Sequence, residues 1–467
     1  MRRYLLLFLF LGFIGGWFIL RYNPKPVFVE GVLGQPVDLI PGQGPKNAVD
    51  EVLERLLFRS LFTYDQEGRI TPDLVESYSI SKDGKVYDVV LKEEFWLDGQ
   101  PITPTDVVFT FTQDPAFSDI TIEQEGEKKL RFILQNPLSS FLDVLTSPVG
   151  PAHFRDLPLD RLGSSTFSII DVKREGGRIT EIRLENSNTS LKELIFMFFT
   201  SADELIKAAQ RGEVDALISE DFSNDSFALY QTPIYGRYFT LSFNLESSNS
   251  LVKSKDFRKA ATKKTPLVSG ALVRGPLSGT WAQADLRFPT FSVKSLKKFK
   301  GKLTITYPKG IDFQEAAQKI ASAWRTELGV DVQIKKVSSG QVDSILTQRD
   351  FEAIILGQEV RRDPDRYNLW HSSQRDFPGQ NISGYADPRA DRALEKGREV
   401  FARSKRKKHY TNFQRLFIED NPAILLYHPN LHYWVSRKFT GLDLGIIFAP
   451  EERFQSFQDW KLDFEPR

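Results

Sequence analysis

Residues 302–356 read KLTITYPKGIDFQEAAQKIASAWRTELGVDVQIKKVSSGQVDSILTQRDFEAIIL. KLTITYP alternates apolar with polar residues and predicts a strand. Phe313, Ala317, Ile320, Ala321, Trp324 and Leu328 recur at helical intervals, so the following stretch predicts an amphipathic helix with that face inward. VDVQIKKV reads as a second strand, SGQVDSILTQ as helical and FEAIIL as a buried strand. Strands that alternate with helices predict a mainly parallel sheet covered by helices, hence an α/β fold.

The same handover occurs upstream. SADELIKAAQRGEVDALI predicts a helix closed by Gly212 in a left-handed conformation, followed by a strand at 214–218. ITEIRLEN and ELIFMFF, earlier in that region, read as strands. Closer to the N-terminus, DEVLERLLFRSLFTY places Val52, Leu56, Leu57, Leu61 and Phe62 on one helical face. SYSISKDGKVYDVVLK predicts a hairpin turning at Asp83-Gly84, because glycine tolerates positive φ. Asp98-Gly99 predicts another turn, and Thr103 with Asp106 a capping box opening a short helix.

At 467 residues the chain is long enough for about three compact units. Hydrophobic residues at 41% and charged residues at 26% exclude wholesale disorder and a polytopic membrane bundle. The net charge of +1 gives no field to hold nucleic acid. Basic runs at 294–302 and 403–409 read as solvated faces. With no cysteine, disulfides, thiolate chemistry and the lipid-bearing cysteine of a lipoprotein are all excluded. Residues 4–20, YLLLFLFLGFIGGWFIL, carry no charge. A helix of that length rises about 25 Å, enough to span a thin hydrocarbon core. No Ala-x-Ala triplet follows, which favours a retained anchor over a cleaved signal peptide. Arg2 and Arg3 place the body of the protein outside the cytoplasm.

No catalytic motif stands out. The chain has five histidines, and only His428 and His432 are spaced as metal ligands on a helix would be. Pro429 argues against a helix there, and in a strand the two would lie about 13 Å apart, too far for one ion. GxSxG, P-loop, HExxH and GxGxxG patterns are all missing from the sequence. Neither an enzyme, nor a cofactor, nor a metal site is expected.

Residues 56–111 combine a helix bearing Leu57, Arg59 and Leu61, a segment with Pro72, Leu74 and Ser77, and the Asp83-Gly84 hairpin. Asp98-Gly99, Pro101, Thr103 and Asp106-Val107 follow, with Pro104 where alanine is customary. In this order of features the sequence resembles family 5 of the bacterial extracellular solute-binding proteins, the oligopeptide, dipeptide and nickel receptors of ABC transporters. Further matches are Arg211-Gly212-Glu213-Val214-Asp215, Phe243-Asn244, Asp256-Phe257-Arg258-Lys259-Ala260, Gly275-Pro276, Glu327-Leu328-Gly329-Val330, NISGYADPRADRAL and Glu419-Asp420-Asn421-Pro422-Ala423-Ile424-Leu425-Leu426. The resemblance covers nearly the whole chain after Val27.

It implies a two-lobed type II periplasmic-binding-protein fold with a ligand cleft between the lobes, preceded here by one N-terminal transmembrane helix. Residues 1–25 would be the anchor or signal segment, 26–245 the first lobe, 246–429 the second, and 430–467 a return to the first. The stretch 111–138 is short for the family, so the accessory subdomain would be reduced. The implied function is that of a monomeric extracytoplasmic protein that captures a peptide or peptide-like solute and delivers it to ABC permease subunits. The alternative is a cell-surface sensory or interaction protein that keeps the fold without transport.

In peptide-binding members the segment after one central strand begins Gly-Trp and supplies an aspartate for the peptide's α-amino group. Here that segment is GQEVRRDPDRYNLW, residues 357–370, with Gln358 in place of tryptophan. Glu359 or Asp363 could hold an amine, whereas Arg361 and Arg362 suit a carboxylate or phosphate, and a plain surface loop is the third reading. Phe243, Asn244, Trp281, Trp370 and Asn381 are other positions that the family would place near the cleft.

Overall fold

The computed structural model describes residues 26–463 except 43–45, 66, 157, 187, 287–297, 310–312 and 377. Lys302–Pro308, Asp331–Val337 and Ala353–Glu359 are strands, and the helix Phe313–Leu328 buries all six residues of its predicted inward face. The sheet they build is mixed rather than mainly parallel. Its five strands run in the order Asp331–Val337, Lys302–Pro308, Ala353–Glu359, Arg237–Phe243, Ala423–Tyr427. The first three are parallel, while Arg237–Phe243 is antiparallel to both of its neighbours. Parallel pairing requires a crossover within one sheet. Arg237–Phe243 arrives instead from the other sheet, so nothing imposes that direction on it.

The other large sheet has seven strands, ordered Phe227–Pro233, Asn430–Ser436, Ala216–Ile218, Val27–Leu33, Glu193–Phe199, Arg178–Asn186, Phe167–Glu175. The C-terminal strand Asn430–Ser436 is thus stitched into the sheet that begins at Val27. Ser201 caps the helix Ala202–Arg211, which ends on Gly212 at φ +74° and delivers Ala216–Ile218 alongside Val27–Leu33. A buried polar knot ties first strand to last segment: Tyr433 donates to Glu30 at 2.8 Å, and Arg453 pairs with the same carboxylate.

Against this core packs a four-stranded antiparallel sheet, Val75–Ile80, Val86–Leu91, Lys129–Leu134, Ile120–Glu125. Its first hairpin turns where predicted, with Gly84 at φ +72°. Residues 112–138 hold the second hairpin. The capping box of Thr103 and Asp106 opens the helix Pro104–Phe111. The helix Ala48–Leu57, capped by Asn47 and Asp50, stops sooner than its apolar pattern implied. Phe58 is extended, Leu61 is buried beyond the helix, and Phe62 opens the strand Phe62–Tyr64. An apolar run that continues from helix into buried strand keeps no visible boundary in sequence.

Each large sheet has its own apolar core, giving two lobes. The passage between them falls between Pro233 and Arg237, so residues 237–245, assigned by sequence to the first lobe, belong to the second. The return passage is at His428 and Pro429. The two passages lie side by side, with Ile234 N–H donating to the Pro429 carbonyl at 2.9 Å and His428 Nδ1 donating to the Arg237 carbonyl at 2.8 Å. At Gly236 a Cβ would fall 2.0 Å from the Phe448 carbonyl oxygen, which only glycine avoids.

Among the described residues no helix is long and apolar enough to cross a membrane. The expected span at 4–20 lies outside them, as do residues 294–297 of the first basic run.

Candidate ligand-binding cleft

Between the lobes lies a cavity of about 790 Å³. That is within the roughly 300–1,000 Å³ typical of small-molecule sites. The first lobe supplies residues 134–144, which lead from Lys129–Leu134 into the short helix Phe141–Val144. The second lobe supplies 359–369, the segment leaving Ala353–Glu359, together with Glu395, Arg398 and Glu399 of the helix Pro388–Glu399. The lobes touch around this space. Ser139 donates through N–H to the Arg398 carbonyl at 2.8 Å and through Oγ to that of Gly397 at 3.0 Å. Ser140 Oγ donates to Asp365 at 3.1 Å, and Arg362 pairs with Glu452 at 2.6 Å while lying over Tyr64 and Phe448.

The turn 361–366 is fixed from behind by charge. Asp363 takes both prongs of Arg406, at 2.7 and 2.8 Å. Arg366 folds back to donate to the carbonyls of Asp363, Asp365 and Arg361 at 2.6, 2.9 and 3.2 Å. Asp365 pairs with Arg398 at 2.7 Å, and Arg398 in turn lies 4.0 Å over the Tyr367 ring. Arg361 is exposed on the cavity wall, with one long bond of 3.4 Å to the Asp143 carbonyl. The Asp143 side chain, opposite, accepts from the Asp363 N–H at 3.2 Å and from the Tyr64 hydroxyl. Burial, and then the charge of Asp363, push its carboxyl up to about 7, with Arg361 opposing.

The arrangement can enclose a solute, and among the described residues that line it no nucleophile is poised beside a base. Residues 69–263 match the family model described as bacterial extracellular solute-binding proteins, family 5 middle. Over 93% of this chain and 91% of its own length, the oligopeptide-binding protein AppA of Bacillus subtilis is 22% identical. The chain is thus similar, over residues 69–263, to the bacterial extracellular solute-binding proteins of family 5. A second relative is the probable D,D-dipeptide-binding periplasmic protein DdpA of Escherichia coli, 22% identical over 91% of this chain and 92% of that one. The structure of AppA in complex with a nonapeptide superposes with a TM-score of 0.67 at 19% identity, covering 94% of this chain and all of that one. NikZ of Campylobacter jejuni in complex with Ni(L-His) also gives 0.67, at 20% identity, with 94% and 100% covered. These two likenesses establish the shared fold.

The residues singled out by sequence scatter. Glu359 and Arg361 line the interlobe cavity. Gln358, Glu359 and Asn381 line a smaller pocket of about 270 Å³ in the second lobe, which shares Glu359, Leu369 and Gln380 with the first. Glu359 is exposed and paired with Arg237. Phe243 is sealed in the second core, stacked on Trp324 at 6.2 Å between centroids. Asn244 spends its side-chain N–H groups on the carbonyls of Arg349 and Phe351, both at 2.9 Å. Asn381 bridges the carbonyls of His371 and Tyr385 and accepts from Tyr385 N–H, so it organises a turn. Trp370 is packed edge-on against Phe417. Trp281 lies beneath the guanidiniums of Arg403 and Arg406, at 4.7 and 5.3 Å.

Two features were invisible in sequence. Asp143 sits in an unremarkable apolar stretch and gains its character only by facing Asp363 across the lobes. Arg406 belongs to the run 403–409 that reads as a solvated face, and Lys405, Lys407 and Lys408 are indeed exposed. Arg406 alone points inward, because it is the position of that helix that faces Gly397 and Asp363. Asp363 is thereby occupied and is not free to receive an amine.

Proposed function

We propose that this protein captures a peptide or peptide-like solute outside the cytoplasm, in the cavity between its lobes, and delivers it to the permease subunits of an ABC transporter. The observation that carries this reading is a cavity of about 790 Å³ whose two walls belong to lobes joined, among the described residues, by two short passages. Such lobes close as rigid bodies about a hinge, here 234–236 with 428–429, and the contacts of Ser139, Ser140 and Arg362 across the cleft form only when they meet. A solute touching both walls favours that state. Gln358, Glu359 and Arg361 are the side chains assigned to the solute. The protein acts as a monomer, held to the membrane by residues 4–20. Relatives named for oligopeptides and D,D-dipeptides support a peptide, whereas the fold is shared with a protein holding a nickel–histidine chelate.

Mass spectrometry of solute carried through native purification tests the ligand class: short peptides are expected, and recovery of only sugars or metal chelates would sink the peptide reading. Intact-mass measurement of the protein extracted from membranes tests the anchor, which requires residues 4–20 to be retained.

A further inference from the structure

Charge on the cavity wall is unevenly balanced. Among its second-lobe carboxylates, Glu359 is paired with Arg237, Asp363 with Arg406, Asp365 with Arg398 and Glu399 with Lys396. Glu395 faces His371 at 3.3 Å. On the first-lobe side Asp119 is exposed at the rim, and Asp143 is sealed and held toward its neutral form by burial. Two guanidiniums on the same wall have no carboxylate within ion-pairing distance among the described residues: Arg361 and Arg366.

Arg366 is the more telling of the two. It is only 2% exposed, all its hydrogen bonds go to main-chain carbonyls, and its Nε has no partner. A buried cation without a counter-charge is costly, because neutral carbonyls replace only part of its hydration. One of those carbonyls is that of Arg361, so the buried charge stands directly behind the residue that projects on the cavity wall. Arg361 is free to swing, its single bond being the long one to the Asp143 carbonyl. A planar guanidinium held by no more than that long bond is suited to two-pronged binding of a carboxylate. The opposing Asp143, held toward neutral, offers little competition for it.

We propose that Arg361, with the charge of Arg366 behind it, anchors a carboxylate of the solute, so that this protein selects solutes by a free carboxylate and not by a free amine. The proposal rests on the interlobe cavity being the solute site. The carboxylate is either a peptide's C-terminus or an acidic side chain.

The test is native mass spectrometry of the purified, solute-stripped protein with defined pools of tripeptides and tetrapeptides: free acids, C-terminal amides with and without a glutamate, and N-acetylated free acids. Free acids should bind at least about tenfold more tightly than glutamate-free amides, the value of a charge-assisted hydrogen bond. N-acetylation should change little. In Arg361→Ala the preference should shrink to about twofold or less, with the unfolding midpoint unchanged because the side chain is exposed. Rescue of the amides by a glutamate assigns the anchor to a side-chain carboxylate, and failure to rescue assigns it to the C-terminus. Glutamate-free amides binding as well as acids, or N-acetylation abolishing binding, overturns the proposal and leaves the peptide reading standing. Should no peptide bind, a pool of sugar acids and dicarboxylates decides: binding that depends on Arg361 keeps the carboxylate anchor and removes the peptide, and no binding removes both.

Discussion

Asp363 and Arg406, 43 residues apart, meet in a two-pronged ion pair of 2.7 and 2.8 Å with both side chains almost fully shielded from water. The pair joins the cavity turn to the helix Arg403–Asp420, and the Tyr410 hydroxyl completes the site by accepting from Arg406 at 3.1 Å. Removing one partner strands a buried charge. Arg406→Ala is expected to cost roughly 3–5 kcal/mol, whereas replacing both members by apolar residues of similar size should cost far less. Chemical denaturation of the two variants checks this, and equal losses would show that the pair is not acting as a unit. Arg403→Ala, one turn away and exposed, should stay within about 1 kcal/mol.

Asp143 gives stability a pH dependence of unusual sign for a carboxylate. Its carboxyl is raised from 3.8 to about 7 by burial and by Asp363, so the folded protein keeps a proton that the unfolded chain has lost. Stability from this group is therefore present below the unfolded value and is lost as pH rises through the folded one. Thermal midpoints of the wild type should fall relative to Asp143→Asn between about pH 5 and pH 8. Parallel curves for the two proteins would refute the assignment.

Phe243 lies in the second core and not on the cleft. Phe243→Ala should lose about 3–5 kcal/mol through the cavity left against Trp324 and Phe257. Affinity for the co-purified solute, measured by calorimetry well below the unfolding midpoint, should be unchanged. A selective loss of affinity with normal stability would return Phe243 to the binding site.

Gly236 tests the hinge. A methyl group there meets the Phe448 carbonyl oxygen at 2.0 Å, and that backbone atom can yield only if the passage shifts. Gly236→Ala is expected to lower the unfolding midpoint and to enlarge the ligand-free protein in small-angle scattering, as the lobes are levered apart. A variant with native midpoint and native dimensions would mean that the passage absorbs the methyl without consequence for closure.

Much of the architecture was legible because its signals are local. The helix Phe313–Leu328, the Gly84 and Gly212 conformations and the capping box at Thr103 all follow from spacing and backbone preference within a few residues. The family resemblance could likewise be read from turns and caps in order along the chain. Where an element's partner is distant, the reading faltered: Arg237–Phe243 carries a strand pattern that does not say which sheet it joins. The cleft residues divided in the same way. The stretch 357–370 could be picked out, yet Asn381 and Asn244 proved to spend their polar groups on backbone carbonyls, which residue type cannot foretell.

What the sequence by itself determined, then, is the order of strands and helices, the absence of cysteine chemistry and the family resemblance, since these depend on composition and on short-range periodicity. The tertiary structure alone decided which charges are spent and which are free. Asp363 and Arg361 lie two residues apart with equal sequence claims on a solute, and folding gives one of them a buried counter-ion and leaves the other on the cavity wall. The physical reason is that a charge's availability depends on the partners brought to it across the fold and on its access to water, and neither is encoded within its own neighbourhood of the chain.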